Sequence, residues 1–288
     1  MKLPSLSIIL PAKNEAHGLR KLLPVLKQFY PSAELIVVND GSSDDTPSVC
    51  AQHNVKIITH PYTIGNGAAV KTGARAASGE VLVFMDADGQ HSPDDIRAML
   101  DKMEEGYDMV VGARRKGTQA GRRRAIGNHL YNRFASWMTG FKIEDLTSGF
   151  RAVRANRFRR FLYLLPNGFS YPTTITMAFF RSAYPITYVP IDAGVRRGKS
   201  KIHLIKDGIR FFVIILKIGA LFSPMRLFLP VSFLFFVTGL AYYSYTYLAY
   251  GRFTNMSALL FITAILTFLI GIVSEQVSSL HYKSSSDD

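Results

Sequence analysis

The sequence predicts an α/β domain with a mostly parallel sheet, followed by an apolar helical hairpin. Short apolar stretches alternate with helical stretches from residue 5 to about residue 112, which is typical of a parallel sheet covered by helices. Two later stretches, between Arg226 and Arg252 and between Arg252 and Glu275, contain no charged residue. Each is about as long as the roughly 20 residues that a membrane-crossing helix needs. The chain therefore divides into a soluble part and a membrane part.

The soluble part alternates strands and helices in a regular order. Strands are predicted at Leu6–Leu10, Glu34–Val38, Lys56–Thr59, Val81–Met85 and Met109–Val111. Helices are predicted at Ala16–Phe29, Asp45–Gln52, Ala68–Ala77, Pro93–Glu105 and Ala125–Thr139. Ligands of open α/β sheets bind at the carboxyl ends of the strands. The loops that follow the strands are therefore the expected place of a functional site.

Two aspartates, one residue apart, follow the fourth predicted strand. They stand in the run Asp86-Ala87-Asp88-Gly89-Gln90-His91. Divalent ions such as Mg²⁺ and Mn²⁺ favour oxygen ligands and usually share them with substrate phosphates. Paired carboxylates at a strand end therefore indicate a divalent-metal site. A capped turn before the helix at Pro93 is the alternative, because aspartate is common in turns.

Polar loops follow the first and second predicted strands as well, at Pro11–Glu15 and Asn39–Asp44. Three acid-bearing loops at strand ends are expected to converge on one edge of the sheet. Gly65 and Gly67 open the third helix, where backbone N–H groups can meet an anion. A plain glycine-rich helix start explains these glycines equally well.

The formal net charge is +13, and much of the excess is clustered. The clusters lie at Arg114–Lys116, Arg122–Arg124, Arg151–Arg160 and Arg196–Lys201. Such patches suit nucleic acid, phosphate-bearing substrates or an anionic membrane face, and a solvated surface explains some of them. Their position before a membrane hairpin, without interleaved aromatic residues, favours lipid headgroups over nucleic acid.

The C-terminal part predicts two transmembrane helices, at about 227–249 and 254–274. A buried soluble hairpin is the alternative, but both stretches are apolar on all faces. The basic side precedes the first span, so the positive-inside rule places the catalytic domain and both termini in the cytoplasm. The predicted divisions are a soluble domain at 1–202, a juxtamembrane amphipathic helix at 203–225, a multi-pass hairpin at 226–275 and a tail at 276–288. The amphipathic helix is expected in the membrane interface or packed on the soluble domain.

The motifs together resemble the family 2 glycosyltransferases, in the branch of dolichyl-phosphate mannose synthases and polyprenyl-phosphate glycosyltransferases. The resemblance covers about residues 5 to 217. It rests on Pro11–Glu15, Asn39–Thr46, Gly65–Gly67, Asp86–His91 and Asp145–Arg151. It implies a GT-A fold, a nucleotide-sugar donor carrying UDP or GDP, Mg²⁺ or Mn²⁺, and polyprenyl phosphate as acceptor. A homo-tetramer is a further expectation from two-span relatives.

The resemblance also implies roles for individual residues. On the donor side, the residues expected to bind the nucleobase and ribose are Pro11, Ala12, Glu15 and Asp40. Asp86 and Ala87 are expected beside the nucleoside. Asp88 and Gln90, with Asp86, are expected to bind the metal. The family often has an aromatic residue where Ala12 stands. On the phosphate side, the matching cations are Arg114, Arg124, one of Arg196 and Arg197, and Lys201.

Asp145 is expected to be a base, an orienter of acceptor or sugar, or a loop-organising carboxylate. A phosphate monoester has a second pKa of about 6 and is already anionic at neutral pH. Such an acceptor needs no base, so a positioning role comes first.

The expected function is inverting, metal-dependent transfer of a sugar to undecaprenyl or dolichyl phosphate at the cytoplasmic membrane face. A lipid with a hydroxyl acceptor is an alternative, and it would need Asp145 as general base. A catalytically inactive membrane module that binds nucleotide is another. A processive polysaccharide synthase is disfavoured, because the only tryptophan, Trp137, lies outside the Gln-x-x-Arg-Trp motif of those enzymes.

Overall fold

Seven strands form one mixed sheet in the soluble part of the computed structural model. The strands are β1 (Leu6–Ala12), β2 (Glu34–Asn39), β3 (Lys56–Thr59), β4 (Val81–Phe84), β5 (Met109–Arg114), β6 (Arg151–Arg154) and β7 (Ile186–Ile191). Their spatial order is β3-β2-β1-β4-β6-β5-β7. The structure describes residues 5–89, 91–115, 122–168, 170–192, 213, 216–217, 219–220 and 223–283, without the side chains of 122–128 and 281–283.

Helices of this part cover the sheet on both faces. They are α1 (Ala16–Phe29), α2 (Thr46–Gln52), α3 (Asn66–Ala76), α4 (Asp94–Glu104), α5 (Arg122–Thr139), α6 (Ala155–Arg159) and α7 (Tyr171–Arg181). The buried leucines of α1, Leu19, Leu22, Leu23 and Leu26, recur at the spacing of one helical face. They join Ile8, Leu10 and the buried methionines of α4 in the core. The predicted α/β fold with a mostly parallel sheet is confirmed.

Strand β6 is the one described strand that runs against its neighbours. It pairs antiparallel with β4 and with β5, and Arg151 lies opposite both Phe84 and Val111. The loop that enters β6 therefore opens on the edge where β4 and β5 end. Neither β6 nor β7 was predicted from the sequence; β6 is four residues long and bounded by arginines, the opposite of an apolar run.

The loop after β4 packs closely against α1. A Cβ added at Gly18 would lie 2.1 Å from the carbonyl oxygen of Ala87, so a side chain at this position would force the two backbones apart. A second close approach occurs at Gly65, which has a φ of +125° and whose added Cβ would lie 2.4 Å from the carbonyl oxygen of Asn167. Glycine thus allows both site loops to lie against neighbouring backbone.

The C-terminal part forms a separate unit, since the chain divides into Met1–Phe211 and Phe212–Asp288. Its two helices, α8 (Pro224–Tyr250) and α9 (Asn255–Lys283), are long and apolar enough to cross a membrane. A core helix of a soluble protein would bury its large apolar side chains. These helices expose most of theirs, for example Phe233 at 65% and Leu248 at 85%, which indicates a lipid-facing surface.

The two helices contact each other through small and polar residues. The hydroxyl of Ser232 donates to the carbonyl of Ala264 at 2.8 Å, and Gly239 lies against Leu260 and Phe261. Close backbone approach at small residues is the usual way in which membrane helices associate. The predicted hairpin is therefore confirmed, with longer helices than the sequence indicated. Most of the predicted amphipathic helix at 203–225 lies outside the described residues.

Candidate active site

The loops after β1 and β2 are fastened to each other by reciprocal hydrogen bonds. The N–H of Asn14 donates to Ser42 Oγ at 2.9 Å, and the N–H of Ser43 donates to Asn14 Oδ1 at 2.8 Å. The Asp44 carboxylate accepts the N–H groups of Ala16 and Thr46, each at 3.0 Å. These bonds hold the predicted nucleoside loops, Pro11–Glu15 and Asn39–Asp44, side by side.

Asp40 is buried, and its carboxylate organises the loop that follows β3. Oδ1 accepts the N–H of Ile64 at 2.8 Å and lies 2.8 Å from His60 Nδ1, while Oδ2 accepts the N–H of Gly65 at 2.9 Å. Burial would raise the pKa of Asp40, but the bonds from His60, Ile64 and Gly65 outweigh burial and keep the pKa below its ordinary value. The predicted contact of Asp40 with the nucleobase stays a prediction beside this visible role.

The paired aspartates stand at the carboxyl end of β4, as predicted. The side chain of Asp86 is 46% exposed and its Oδ2 lies 4.0 Å from His91 Nε2, whereas Ala87 is buried. Gln90 lies outside the described residues. Among the described residues, no three His, Cys, Asp or Glu side chains form a metal-binding group. The two carboxylates are hard oxygen donors that leave ligand positions for substrate phosphates and water, the arrangement that Mg²⁺ commonly uses.

Asp145 and Arg114 form a bidentate ion pair at the same edge. Arg114 Nε donates to Asp145 Oδ2 at 2.8 Å, and Nη2 donates to Oδ1 at 2.9 Å. Oδ1 also accepts the N–H groups of Thr147 and Ser148, both at 3.1 Å. Arg114 Nη2 further donates to Thr147 Oγ1 at 2.7 Å. The sequence analysis named both residues but did not predict that they pair.

The charges of this pair stabilise each other. Burial would raise the pKa of Asp145, but the Arg114 guanidinium and the backbone N–H groups keep that pKa below its ordinary value. Burial would lower the pKa of Arg114, but Asp145, with a smaller contribution from Asp86, raises it. Asp145 is therefore an ionised carboxylate with both oxygens occupied, which favours the positioning role over the role of base.

His91 was quoted in a motif by the sequence analysis but received no role. Its ring is buried and stacks on Phe150, with ring centroids 4.7 Å apart. Nδ1 has no hydrogen-bond partner among the described residues. Burial lowers the pKa of His91, and Arg114 lowers it further against the opposing charge of Asp88. A neutral imidazole thus lies near both the Asp86–Asp88 loop and the Asp145–Arg114 pair. The sequence offered no signal that would set it apart from a surface histidine.

The arginines that follow β6 do not reach this edge. Because β6 is antiparallel, its carboxyl end lies at the opposite edge of the sheet, where Arg154 pairs with Asp108 at 3.1 Å. Arg159 donates to the carbonyls of Ala74 and Ala77 at the end of α3, and Arg157 lies over the Tyr184 ring at 4.7 Å. These cations stabilise the fold, whereas the sequence alone grouped them with possible phosphate-binding patches.

The remaining predicted phosphate contacts are not described at side-chain level. Helix α5 contains Arg124, whose side chain is outside the described part of the chain. Arg196, Arg197 and Lys201 lie outside it altogether. Their roles stay predictions.

A mostly parallel sheet of this order, with paired aspartates after β4, defines the class of GT-A glycosyltransferases. More particularly, residues 7–163 match the Glycosyl transferase family 2, and residues 223–280 match the GtrB C-terminal hairpin. The first match spans more than half of the chain. The chain therefore belongs to glycosyl transferase family 2.

Several proteins are similar in sequence. Glycosyltransferase AglJ of Haloferax volcanii is 26% identical, over 95% of this chain and 94% of AglJ. Polyprenol monophosphomannose synthase of Mycolicibacterium smegmatis is 26% identical, over 64% of this chain and 75% of that protein. Undecaprenyl-phosphate 4-deoxy-4-formamido-L-arabinose transferase of Proteus mirabilis is 32% identical, over 53% of this chain and 50% of that protein.

Solved structures show the same fold. Glucosyl-3-phosphoglycerate synthase from Mycobacterium tuberculosis in complex with UDP has a TM-score of 0.63 at 20% identity, covering 75% of this chain and 80% of that chain. Its complex with Mn²⁺ and UDP-glucose has a TM-score of 0.62 at 20% identity, covering 75% and 79%. At this identity the likeness establishes the fold alone.

The Asp145–Arg114 pair predicts a pH dependence of stability. Because the folded pKa of Asp145 lies below its ordinary value of 3.8, its contribution is complete above that value and is lost as the pH falls through the folded pKa. Asp145→Asn should cost about 2 kcal/mol at pH 7, less than for a fully buried pair, because Arg114 is 28% exposed. The variant should also lose less stability than the wild type on acidification below about pH 4.

Thermal unfolding of the detergent-solubilised protein between pH 7 and pH 3 measures this effect. Asp101→Asn, at an exposed position of α4, is the matched control. An equal acid-induced loss in Asp145→Asn and wild type would contradict the assignment.

Proposed function

We propose that the protein transfers a sugar from a UDP- or GDP-linked donor to polyprenyl phosphate at the cytoplasmic face of a membrane. The observation that carries this proposal is the meeting of two kinds of group at one sheet edge. The carboxylates of Asp86 and Asp88 suit a metal-bound diphosphate, and Arg114, aligned by Asp145, suits a second phosphate. The relatives named for polyprenol and undecaprenyl-phosphate transfer, and the apolar hairpin, support the same reaction.

On the donor side, the bond to the diphosphate breaks and leaves negative charge on the leaving group. Asp88 and Gln90, with Asp86, would hold Mg²⁺ or Mn²⁺, which supplies Lewis-acid stabilisation of that charge when bound. The Mn²⁺ and UDP-glucose complex of the M. tuberculosis synthase supports this choice of metal and donor. Pro11, Ala12, Glu15, Asp40 and Ala87 would receive the nucleoside between the fastened loops of β1, β2 and β4.

On the acceptor side, the chemistry needs charge compensation rather than a base. A phosphate monoester is largely dianionic at neutral pH, since its second pKa is about 6. A hydroxyl acceptor would need a general base, and Asp145 is occupied by Arg114, Thr147 and Ser148. This occupation favours a phosphate acceptor over a hydroxyl-bearing lipid.

Arginine serves this purpose because its planar fork binds phosphate in a bidentate manner and stays charged. In Arg114, Nε and Nη2 already bind Asp145 and Thr147, so Nη1 would carry the visible part of the role. Arg124, one of Arg196 and Arg197, and Lys201 would complete it from outside the described side chains. With both reactants held, one direct displacement inverts the configuration at the anomeric carbon. The predicted domain divisions and a tetrameric assembly stay predictions alongside this mechanism.

Removal of the metal carboxylate tests the donor half. Asp88→Ala should reduce transfer by at least about a thousandfold, because the leaving diphosphate loses its charge stabilisation. The measurement is lipid-product formation by membranes given labelled UDP- and GDP-sugars, polyprenyl phosphate and Mn²⁺, with Asp101→Ala as the control. Full activity of Asp88→Ala would refute the metal assignment. Nucleotide binding by a wild type without turnover would instead indicate an inactive binding module.

Arg124→Ala tests the acceptor half. The loss of one phosphate-binding guanidinium should raise the KM for polyprenyl phosphate about tenfold or more, with a nearly unchanged Kd for the nucleotide. Arg133→Ala, an exposed arginine of the same helix, is the control. Equal acceptor KM values for the two variants would remove Arg124 from the site.

The membrane orientation follows from the clustered positive charge before the first span, because basic loops stay cytoplasmic. Cys50 is the only cysteine, so Cys50→Ala with Phe253→Cys carries a single thiol in the link between the spans. An impermeant thiol reagent should label this thiol from outside intact cells. Labelling only in inside-out vesicles would reverse the orientation.

A further inference from the structure

We propose that Arg151 is a positioning residue for this reaction, which orients Arg114 through the turn that carries Asp145. This role rests on the proposed function, because it takes Arg114 to be a contact of the acceptor phosphate. Arg151 itself has no exposed surface. It can therefore act on a substrate only through its neighbours.

The surroundings of Arg151 are unusual for a buried cation. Its Nη1 donates to the carbonyl of Pro172 and to Thr176 Oγ1, both at 3.2 Å, and its Nη2 donates to the carbonyl of Ser148. Nε has no hydrogen-bond partner among the described residues, and none of the carboxylates described there forms an ion pair with Arg151. Burial of an unpaired charge is costly, so its retention calls for a compensating role.

The contact with Ser148 links Arg151 to the ion pair. The peptide groups of Ser148 are held from two sides, since the carbonyl accepts from Arg151 and the N–H donates to Asp145 Oδ1 at 3.1 Å. Asp145 in turn accepts both Nε and Nη2 of Arg114. A displacement of the turn would therefore move the carboxylate that fixes the plane of the Arg114 fork.

The charge balance agrees with this chain of contacts. Asp145 pairs with Arg114 directly and raises the pKa of Arg114, whereas burial lowers the pKa of Arg151 and Asp145 opposes that effect only weakly and at longer range. Within this group of three side chains, the guanidinium groups of Arg114 and Arg151 exceed the Asp145 carboxylate by one positive charge, while Asp86 and Asp88 lie outside the group. Preorganised positive charge of this kind is what a dianionic acceptor needs, and the bound phosphate would complete the compensation of Arg151.

A purely structural role for Arg151 has a different consequence. Pro172 and Thr176 belong to α7, so Arg151 also ties α7 to the start of β6. If this tie were its only role, a substitution would lower stability and affect donor and acceptor alike. The positioning role affects the acceptor selectively.

Arg151→Lys keeps the positive charge and removes the fork that reaches three acceptors. It should raise the KM for polyprenyl phosphate about tenfold and leave the Kd for UDP or GDP within about twofold, because the hydrogen bonds of the Arg151 fork go to Ser148, Pro172 and Thr176 rather than to Asp86 or Asp88. In the Arg114→Lys background, Arg151→Lys should add little to the acceptor KM, because two residues acting through one contact are not additive.

Thr176→Val keeps the test informative if Arg151→Lys fails to fold. It removes one acceptor of Arg151 Nη1 and should raise the acceptor KM less, by about twofold to threefold. Thr174→Val is the matched control, since Thr174 is a buried threonine of the same helix whose hydroxyl donates to Ser170 and not to Arg151.

The outcomes separate this role from the proposed function. A wild type that transfers no sugar to polyprenyl phosphate overturns the proposed function itself. A wild type that transfers sugar, with Arg151→Lys raising acceptor KM and nucleotide Kd together, overturns the positioning role alone. The positioning role is also overturned if the effects of Arg151→Lys and Arg114→Lys on the acceptor KM are additive. Equal acceptor KM values for Thr176→Val and Thr174→Val would overturn it as well.

Discussion

The loop that enters β6 meets the loops that leave β4 and β5 because β6 runs antiparallel between these two strands. In a wholly parallel sheet, the chain before β6 would enter at the opposite edge. The reversal brings Asp145 within hydrogen-bond distance of Arg114, at the edge where Asp86 and Asp88 stand. The Asp145–Arg114 pair, the proposed phosphate-binding half of the site, therefore depends on the direction of a strand four residues long.

The same hydrogen-bond arrangement occurs three times in the site, where a carboxylate that accepts backbone N–H groups holds a loop in place. Asp40 fixes the loop after β3, Asp44 fastens the loops of β1 and β2, and Asp145 forms the turn before β6. Hydrogen bonds to an ionised acceptor are stronger than those between neutral groups. They fix the backbone of these loops through polar contacts at the sheet edge.

The site separates negative from positive charge along the edge. In the proposed reaction, Asp86 and Asp88 would give the donor side a place for a cation, and Arg114, paired with Asp145, would serve the acceptor side with Arg151 behind it. His91, buried against Phe150, lies near both sides with a lowered pKa. A neutral ring there adds no charge to either side of the proposed site.

The sequence by itself determined the α/β class, the apolar hairpin and the strand-end loops with Asp40 and Asp86, because apolar periodicity and turn chemistry are local properties. Asp145 was expected from the family resemblance alone. The sequence did not indicate β6, the Asp145–Arg114 pair or the burial of Arg151. Arg151 and Arg154 look alike in the sequence, yet one lies inside the domain and the other at the far edge. Only the tertiary structure decided these points, because strand direction and burial arise from contacts between residues distant in the chain.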